Sequence, residues 1–269
     1  MSHLKAEVLS LGIAADSLAL LGQGRAAPTE TLLRQATPLE NLLALEQNLP
    51  VKSTRSLFRP RLRLTVADPL ARFWLVQPPA NLSSLATLRT VARARFEQLF
   101  GVSASHWRIE ADWAGNRPFL ACALPTALCT AVEQLAQRRG WLLYDALPAF
   151  VRAWNQSCQD LPASTWLALG QGSHLTYAAI EARQWRYVRV AHVGNAPSHD
   201  ALLDRLSGEA RRLAVHETAL PTQICWLGEA GWLPRGDTFG DWRSRRLNPY
   251  APSTLGGCAL QLANQGAAT

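Results

Sequence analysis

The sequence predicts an α/β fold of two related halves, each a mixed sheet flanked by helices, with a small subdomain inserted in the first half. The first reason is the order of elements, because short apolar strands alternate with amphipathic helices along most of the 269 residues. The second reason is an apolar-x-apolar-Gly strand ending that occurs twice, at residues 9–12 and 167–170, each time followed by a turn and another strand. Such a repeat at the start of each half is typical of a duplicated domain.

Apolar spacing and helix-ending residues define the elements of the first half. Residues 8–11 and 18–21 are predicted to pair as a hairpin, and 29–43 to form a helix that is broken at Pro38. Asn81 is the predicted N-cap of a helix that ends at Gly101. Further strands are predicted at 61–66, 73–76, 107–109, 119–123 and 141–144, and further helices after Pro125 and Pro148.

The second half follows the order strand, strand, strand, helix, strand. Its helix is predicted to begin after Ser198 as the N-cap, and its strands are predicted at 165–169, 174–181, 185–190 and 223–227. This order is the beginning of a ribonuclease-H-like unit. Residues 235–246 are predicted to form a mobile loop, and 252–262 the last helix.

The charge balance favours no nucleic-acid-binding surface. The chain carries 27 Lys+Arg against 20 Asp+Glu, a net charge of +7, and only Lys5 and Lys52 are lysines. The arginines are scattered, without a cluster interleaved with aromatic residues and without a helix-turn-helix, RNA-binding or zinc-finger signature. We therefore expect no nucleic-acid partner, and the basic charge keeps nucleic-acid binding as an alternative.

Composition predicts a folded cytoplasmic protein. Hydrophobic residues make up 48% of the chain and charged residues 17%, which excludes a disordered chain. No apolar run approaches the roughly 20 residues that span a bilayer, and residues 1–7 lack the features of a signal peptide. The five cysteines include no CxxC pair, which argues against a disulfide framework, and Cys122 and Cys225 are predicted to be core side chains.

Both hairpins resemble the phosphate-binding hairpins of the actin-like ATPase superfamily. In that family the x position carries an Asp, and glycines at the positions of Gly12 and Gly170 let backbone N–H groups approach the nucleotide phosphates. Gly228 stands where the family's adenosine-binding strand ends in consecutive glycines, with Glu229 in place of the second. The order of elements is similar to that of the PilM-type pilus assembly proteins and of the cytoplasmic domain of the type II secretion platform protein GspL, over residues 123–154, 198–228 and 248–260.

The resemblance implies two ribonuclease-H-like units as the domains of an actin-like fold. Residues 1–161 would form actin-like domain I, with an inserted subdomain at about 58–122. The C-terminal helix, 251–269, would complete this domain. Residues 162–250 would form actin-like domain II.

The positions that carry the nucleotide chemistry of the family are changed here. Ser10 and Ala168 stand where the family has two Asp residues that hold Mg²⁺ and its waters. Ile13 replaces a Ser or Thr, and Ser17 replaces a cation. Without these groups Mg²⁺ has no carboxylate ligands, and a transferring phosphoryl group has no electrostatic stabilisation. We therefore expect a degenerate nucleotide site with no metal, no cofactor and no catalysis.

The resemblance implies a non-catalytic scaffold of a type IV pilus or type II secretion inner-membrane platform. Such a scaffold would bind the cytoplasmic tail of a bitopic membrane partner. Two alternatives stay open, an active nucleotide-binding phosphotransferase of the same fold and a basic, nucleic-acid-binding ribonuclease-H-like protein. Trp226 and Trp232 lie on either side of Gly228 and are predicted to fill the space that a nucleotide would take.

Overall fold

The computed structural model describes residues 7–22, 29–32, 37–49, 59–80, 84–215, 220–247 and 257–267. The strands in these residues are β1 Val8–Ile13, β2 Ser17–Gly22, β3 Thr29–Leu32, β4 Arg61–Val66, β5 Arg72–Val76, β6 Trp107–Ala111, β7 Phe119–Pro125, β8 Leu142–Pro148, β9 Thr165–Gln171, β10 His174–Glu181, β11 Gln184–His192, β12 Gln223–Gly228, β13 Thr238–Phe239 and β14 Trp242–Arg246. The α-helices are α1 Pro38–Asn48, α2 Leu85–Phe100, α3 Thr126–Arg139, α4 Ala149–Ser157, α5 His199–Ala214 and α6 Cys258–Ala267. None of these helices combines the length and the apolar character that crossing a membrane requires.

The first sheet has the order β3-β2-β1-β4-β8. Strand β1 runs antiparallel to β2 and parallel to β4, and β4 runs parallel to β8. Helix α6 packs on β1, β2 and β4, with Leu260, Leu262 and Ala263 buried. The sheet therefore combines an antiparallel hairpin on one side with parallel strands on the other.

The second sheet repeats this arrangement in the order β11-β10-β9-β12-β14-β13. Strand β9 is antiparallel to β10 and parallel to β12, and β12 is parallel to β14. Its core includes Trp166, Tyr177 and Trp226 together with Leu202 and Leu206 of α5. The two sheets thus share one topology, which confirms the predicted pair of ribonuclease-H-like units.

A third, smaller sheet of order β5-β7-β6 forms the inserted subdomain with α2. Its core is aromatic, and the rings of Trp74 and Phe96 meet edge to face with centroids 5.2 Å apart. Phe119 of β7 is fully buried in the same cluster. The predicted α2 helix ends at Gly101, which adopts the left-handed conformation expected of a helix-ending glycine.

The contacts divide the chain into two units whose boundaries differ from the prediction. One unit lies within residues 1–71, 124–152 and 253–269, and the other within 72–123 and 153–252. The insertion does not begin at about 58, because β4 lies between β1 and β8 in the first sheet. Residues 72–123 group with the second unit because β5 contacts β11.

Helix boundaries near Pro38 and Asn81 also differ from the prediction. Residues 29–32 form a strand, and Pro38 begins α1 instead of breaking a helix. A capping box explains this start, because the Thr37 hydroxyl accepts from the Glu40 N–H while the Glu40 carboxylate accepts from the Thr37 N–H. The predicted N-cap Asn81 lies outside the described residues, and Ser84 is the N-cap of α2.

Near the end of the chain the predicted mobile loop is wrong, whereas the predicted last helix is a helix from residue 258 onward and ends later than predicted. Residues 235–246 contain β13 and β14, and β14 is a parallel strand of the second sheet. The last helix runs from Cys258 to Ala267, and residues 251–256 lie outside the described part.

Ser198 does cap α5 as predicted, since its hydroxyl accepts from the Ala201 N–H. Cys225 is buried as predicted, whereas Cys122 is only half-buried.

Candidate functional site

Four predicted site positions lie in the hairpin of β1 and β2. Ser10 is buried in β1, and its hydroxyl has no hydrogen-bond partner within the described residues. Ile13 is fully buried at the end of the same strand. Ser17 begins β2, and its hydroxyl donates to the Asp16 carboxylate across 3.1 Å. A buried hydroxyl and a buried alkyl group therefore stand where the resemblance implies a carboxylate and a hydroxyl.

Gly12 is the fourth predicted position of this hairpin. It lies in β1 and packs directly against α6. A Cβ on Gly12 would overlap the carbonyl oxygen of Ala259 and would lie 2.6 Å from the amide nitrogen of Ala263. Ser10 points to the same helix, because a Cβ on Gly266 would lie 3.3 Å from the Ser10 hydroxyl oxygen. The strand and helix backbones approach so closely that only glycine fits at position 12. This glycine thus has a packing role within its own unit.

The remaining positions lie in the second sheet. Ala168 is fully buried and belongs to the apolar core beneath α5. Gly170 and Gly228 are register partners on the parallel strands β9 and β12. Gly228 has a φ of 94°, and a Cβ there would overlap the Gly170 carbonyl oxygen. Glu229 follows directly and is half-buried. The structure therefore brings Ala168, Gly170 and Gly228 together in adjacent strands.

The two tryptophans beside Gly228 have different surroundings. Trp226 is a core residue whose indole N–H donates to the Ser244 hydroxyl across 3.2 Å. Trp232 lies over the β9–β10 turn, where its indole N–H donates to the Gly172 carbonyl across 2.7 Å. A Cβ on Gly170 would lie 2.9 Å from the Trp232 ring and 2.7 Å from Leu233. Trp232 and Leu233 therefore cover the glycine of the second hairpin.

Asp68 is a buried carboxylate outside the predicted site positions. It follows β4 at the carboxyl end of the first sheet, and its Oδ1 accepts from the Phe150 N–H at the start of α4 across 2.9 Å. The carboxylate therefore satisfies a backbone donor at a helix N-terminus, where negative charge is favoured. The signal was present in the sequence as an Asp-Pro pair two residues after the alternating strand at 61–66.

Glu209 is a second buried carboxylate outside the predicted positions. It accepts from the Tyr187 hydroxyl across 2.8 Å, from the Tyr177 hydroxyl across 3.3 Å, and from Arg189 Nη1 across 2.6 Å. Burial, and then the neighbouring Tyr187 and Glu209, raise the pKa of Tyr177. The sequence held a signal here, because Glu209 continues the apolar spacing of Leu202 and Leu206 along α5.

The donor set does not fit a Mg²⁺–nucleotide group. Ser10 and Ala168 supply no carboxylate at the two hairpin positions, and both residues are buried against protein atoms of their own unit. Within the described residues no group of three or more His, Cys, Asp or Glu side chains is arranged to hold a metal ion. Mg²⁺ prefers oxygen ligands, and these hairpin side chains offer at most one neutral hydroxyl.

Comparisons with known proteins give matches in structure and none in sequence. No protein-family model matches the chain, and no curated protein matches it. The structure of the PilM–PilN type IV pilus biogenesis complex matches with a TM-score of 0.63 and 13% identity, covering 97% of each chain. The cytoplasmic domain of EpsL, an inner-membrane component of the type II secretion system of Vibrio cholerae, matches with a TM-score of 0.55 and 14% identity over 97% of this chain and 94% of that one.

A third structure carries the fold name itself. This Bacteroides thetaiotaomicron protein, described as having an actin-like ATPase fold and unknown function, matches with a TM-score of 0.56 and 10% identity over 92% of this chain and 94% of that one. At such low identity a match establishes the fold alone. The repeated sheet topology and the coverage of almost the whole chain lead to the same result. The chain has the actin-like ATPase fold and resembles PilM and the cytoplasmic domain of EpsL over nearly its full length.

Proposed function

We propose that this protein is a non-catalytic, actin-like scaffold of an inner-membrane assembly platform, of the type IV pilus or type II secretion class. The observation that carries the proposal is the full-length match to PilM in a complex with PilN, with 97% of both chains covered. The match to a cytoplasmic domain of a secretion-system membrane component supports the same class. The scaffold acts at the cytoplasmic face of the inner membrane.

The absence of catalysis is part of this proposal and is supported by the two hairpins. Ser10 and Ala168 lack the carboxylates that would hold Mg²⁺. Gly12 lies against the backbone of α6, and Gly170 lies against Trp232 and Leu233. Each hairpin glycine thus has a role in packing that requires no bound nucleotide. Without a metal and a charged phosphate pocket, phosphoryl transfer has no electrostatic stabilisation.

The partner we propose is the cytoplasmic segment of a membrane protein with a single span. PilM is matched in its complex with PilN, and a short cytoplasmic segment is the part of such a membrane protein that a cytoplasmic scaffold reaches. The net charge of +7 favours a segment with acidic residues, because long-range attraction raises the rate of association with an oppositely charged partner.

Nucleotide binding is tested by isothermal titration calorimetry with ATP at millimolar Mg²⁺. We expect no binding heat for the wild-type chain and none for the double variant Ser10→Asp/Ala168→Asp, since both positions are buried in packed regions. A functional actin-like ATPase measured in parallel shows that the assay detects binding. ATP binding tighter than about 1 mM by the wild-type chain would contradict the degenerate nucleotide site, and release of phosphate from the bound ATP would contradict the non-catalytic proposal.

Partner binding is tested with synthetic peptides. The probes are the cytoplasmic N-terminal segments of single-span membrane proteins encoded next to this chain, each labelled with fluorescein and measured by fluorescence anisotropy. A scrambled peptide of equal composition separates sequence recognition from charge attraction. We expect one authentic segment to bind at least about tenfold more tightly than its scrambled form. Equal binding of all authentic and scrambled peptides would refute the scaffold proposal.

A further inference from the structure

One cavity in the second unit lies outside all the predicted positions. It has a volume of about 460 Å³ and lies where β5 and α2 of the inserted subdomain face β11 of the second sheet. Its walls are formed by Leu75, Val76, Gln77, Val91, Arg95, Pro118, Trp185 and Arg186. This volume falls within the roughly 300–1,000 Å³ of small-molecule sites.

The walls of this cavity combine an apolar surface with two guanidinium groups. Leu75 and Val91 supply half-buried aliphatic carbon, and the edge of the Trp185 indole, 7% exposed, completes the apolar wall. Trp185 is positioned by Trp154, with ring centroids 4.3 Å apart. Because Trp185 is held by this contact, its exposed edge can meet an apolar ligand at little cost in side-chain entropy.

Both arginines of the cavity keep most of their N–H donors available. In the described part of the chain, Arg95 donates through Nη1 to Gln98 across 2.6 Å, and Arg186 donates through Nε to Glu181 across 3.1 Å. Each guanidinium has five N–H donors arranged to pair with a carboxylate. No residue that lines the cavity is acidic. Arg186 already pairs with the Glu181 carboxylate, whereas among the described residues Arg95 donates only to a neutral amide, so Arg95 brings the positive charge that a bound anion would balance.

We infer that this cavity binds an amphipathic carboxylate, a ligand with an apolar or aromatic body and one anionic oxygen group. The body would rest against Trp185 and the aliphatic side chains, and the carboxylate would accept from Arg95 and Arg186. Gln77 adds an amide that can donate to the same group. The inference does not rest on the scaffold proposal, because it is argued from the walls of the cavity alone. The same chemistry is found in a free organic acid and in a peptide with adjacent acidic and apolar residues.

The inference is tested by calorimetry on the full chain with sodium 2-naphthoate as the probe. Its neutral isostere 2-naphthamide is titrated in parallel. We expect 2-naphthoate to bind with a Kd of about 1 mM or tighter at low salt, and the amide to bind at least about tenfold more weakly. Arg95→Gln and Arg186→Gln should each weaken naphthoate binding by about tenfold or more. Arg93→Gln is the matched control, because Arg93 is exposed on the same helix and does not line the cavity.

The source of the carboxylate is distinguished by a second pair of probes, acetyl-Leu-Glu-Leu-amide and acetyl-Leu-Gln-Leu-amide. Tighter binding of the Glu peptide than of naphthoate supports a carboxylate carried by a peptide, and binding of naphthoate alone supports a free organic acid. The inference is overturned if no carboxylate binds below about 10 mM, or if acid and amide bind equally. It is also overturned if Arg93→Gln weakens binding as much as Arg95→Gln.

Discussion

Replacing Gly12 by Ala tests whether this glycine is required by α6. The new Cβ would overlap the Ala259 carbonyl oxygen and would lie 2.6 Å from the Ala263 nitrogen, whereas ordinary van der Waals contact begins at 3.4 Å. The contacted atoms belong to the helix backbone, and the Ala259 oxygen is the closer of the two, so the helix itself must move by more than about 1 Å. Such overpacking costs about 1–3 kcal/mol, and the backbone contact places this case at about 3 kcal/mol or more.

The same substitution at Gly208 is the matched control. A Cβ on Gly208 would meet no atom within 4 Å, and this residue lies inside α5. Ala is the better helix former by about 1 kcal/mol, so Gly208→Ala should raise the free energy of unfolding by about 0.5–1 kcal/mol. One added methyl group is therefore expected to have opposite effects at the two glycines.

Thermal unfolding and hydrogen exchange measure the two effects. For a chain of this size about 3 kcal/mol lowers the Tm by roughly 6–12 °C. Hydrogen exchange should become faster in α6 of Gly12→Ala and should stay unchanged in α6 of Gly208→Ala, because only Gly12 lies against that helix. A Gly12→Ala chain with wild-type Tm and wild-type protection of α6 would refute the argument that packing requires this glycine.

Four other predictions concern stability and titration. Glu209→Ala should lower the free energy of unfolding, measured by urea titration, by about 2–4 kcal/mol, because two tyrosine hydroxyls and Arg189 lose their acceptor. The control Asp204→Ala, on the exposed face of α5, should change the free energy of unfolding by less than about 0.5 kcal/mol. Ala182 and Arg183 form the two-residue turn between β10 and β11, and both have positive φ. The double variant Ala182→Asn/Arg183→Gly should therefore raise the free energy of unfolding by about 1–2 kcal/mol. An unchanged Tm would contradict the assignment of backbone strain to this turn. Burial, with Asp16 and Asp68 nearby, raises the pKa of Cys258 from 9.0 to about 12, so the folded state favours the neutral thiol. The free energy of unfolding should therefore fall as the pH rises from 9 to 12. Cys258→Ala should remove this contribution to the pH dependence of the free energy of unfolding. Burial and then His192 lower the pKa of His174, so His192→Gln should raise the His174 pKa in an NMR titration, and an unshifted titration curve would exclude the electrostatic contribution of His192.

The sequence was sufficient to predict the repeated architecture, because each half begins with a strong local signal. The hairpin at residues 8–21 and the strands at 165–190 carry the apolar runs and glycines that define register and turns. The helix end at Gly101 was equally visible, since this glycine adopts the left-handed conformation after its helix. These features depend only on residues that are close in the chain.

Other elements depend on neighbours that are distant in the chain. Strand β14 has little apolar pattern of its own, and pairing with β12 makes it a strand. The position of β4 between β1 and β8 could not be read from its alternating residues, because alternation does not identify the neighbouring strands. The coverage of Gly170 by Trp232 likewise joins residues 62 positions apart. Local patterns contain no information on such contacts.

The first sheet and its covering helix come from opposite ends of the chain, and this affects the order in which they can fold during synthesis. Strand β1 leaves the ribosome about 245 residues before α6, the helix that packs on it. At roughly 5–20 residues per second, the wait lasts on the order of ten seconds or longer. During this time the apolar face of β1 and β2 is without its covering helix. The nascent N-terminal strands therefore present an apolar face that a chaperone can cover until α6 is synthesised.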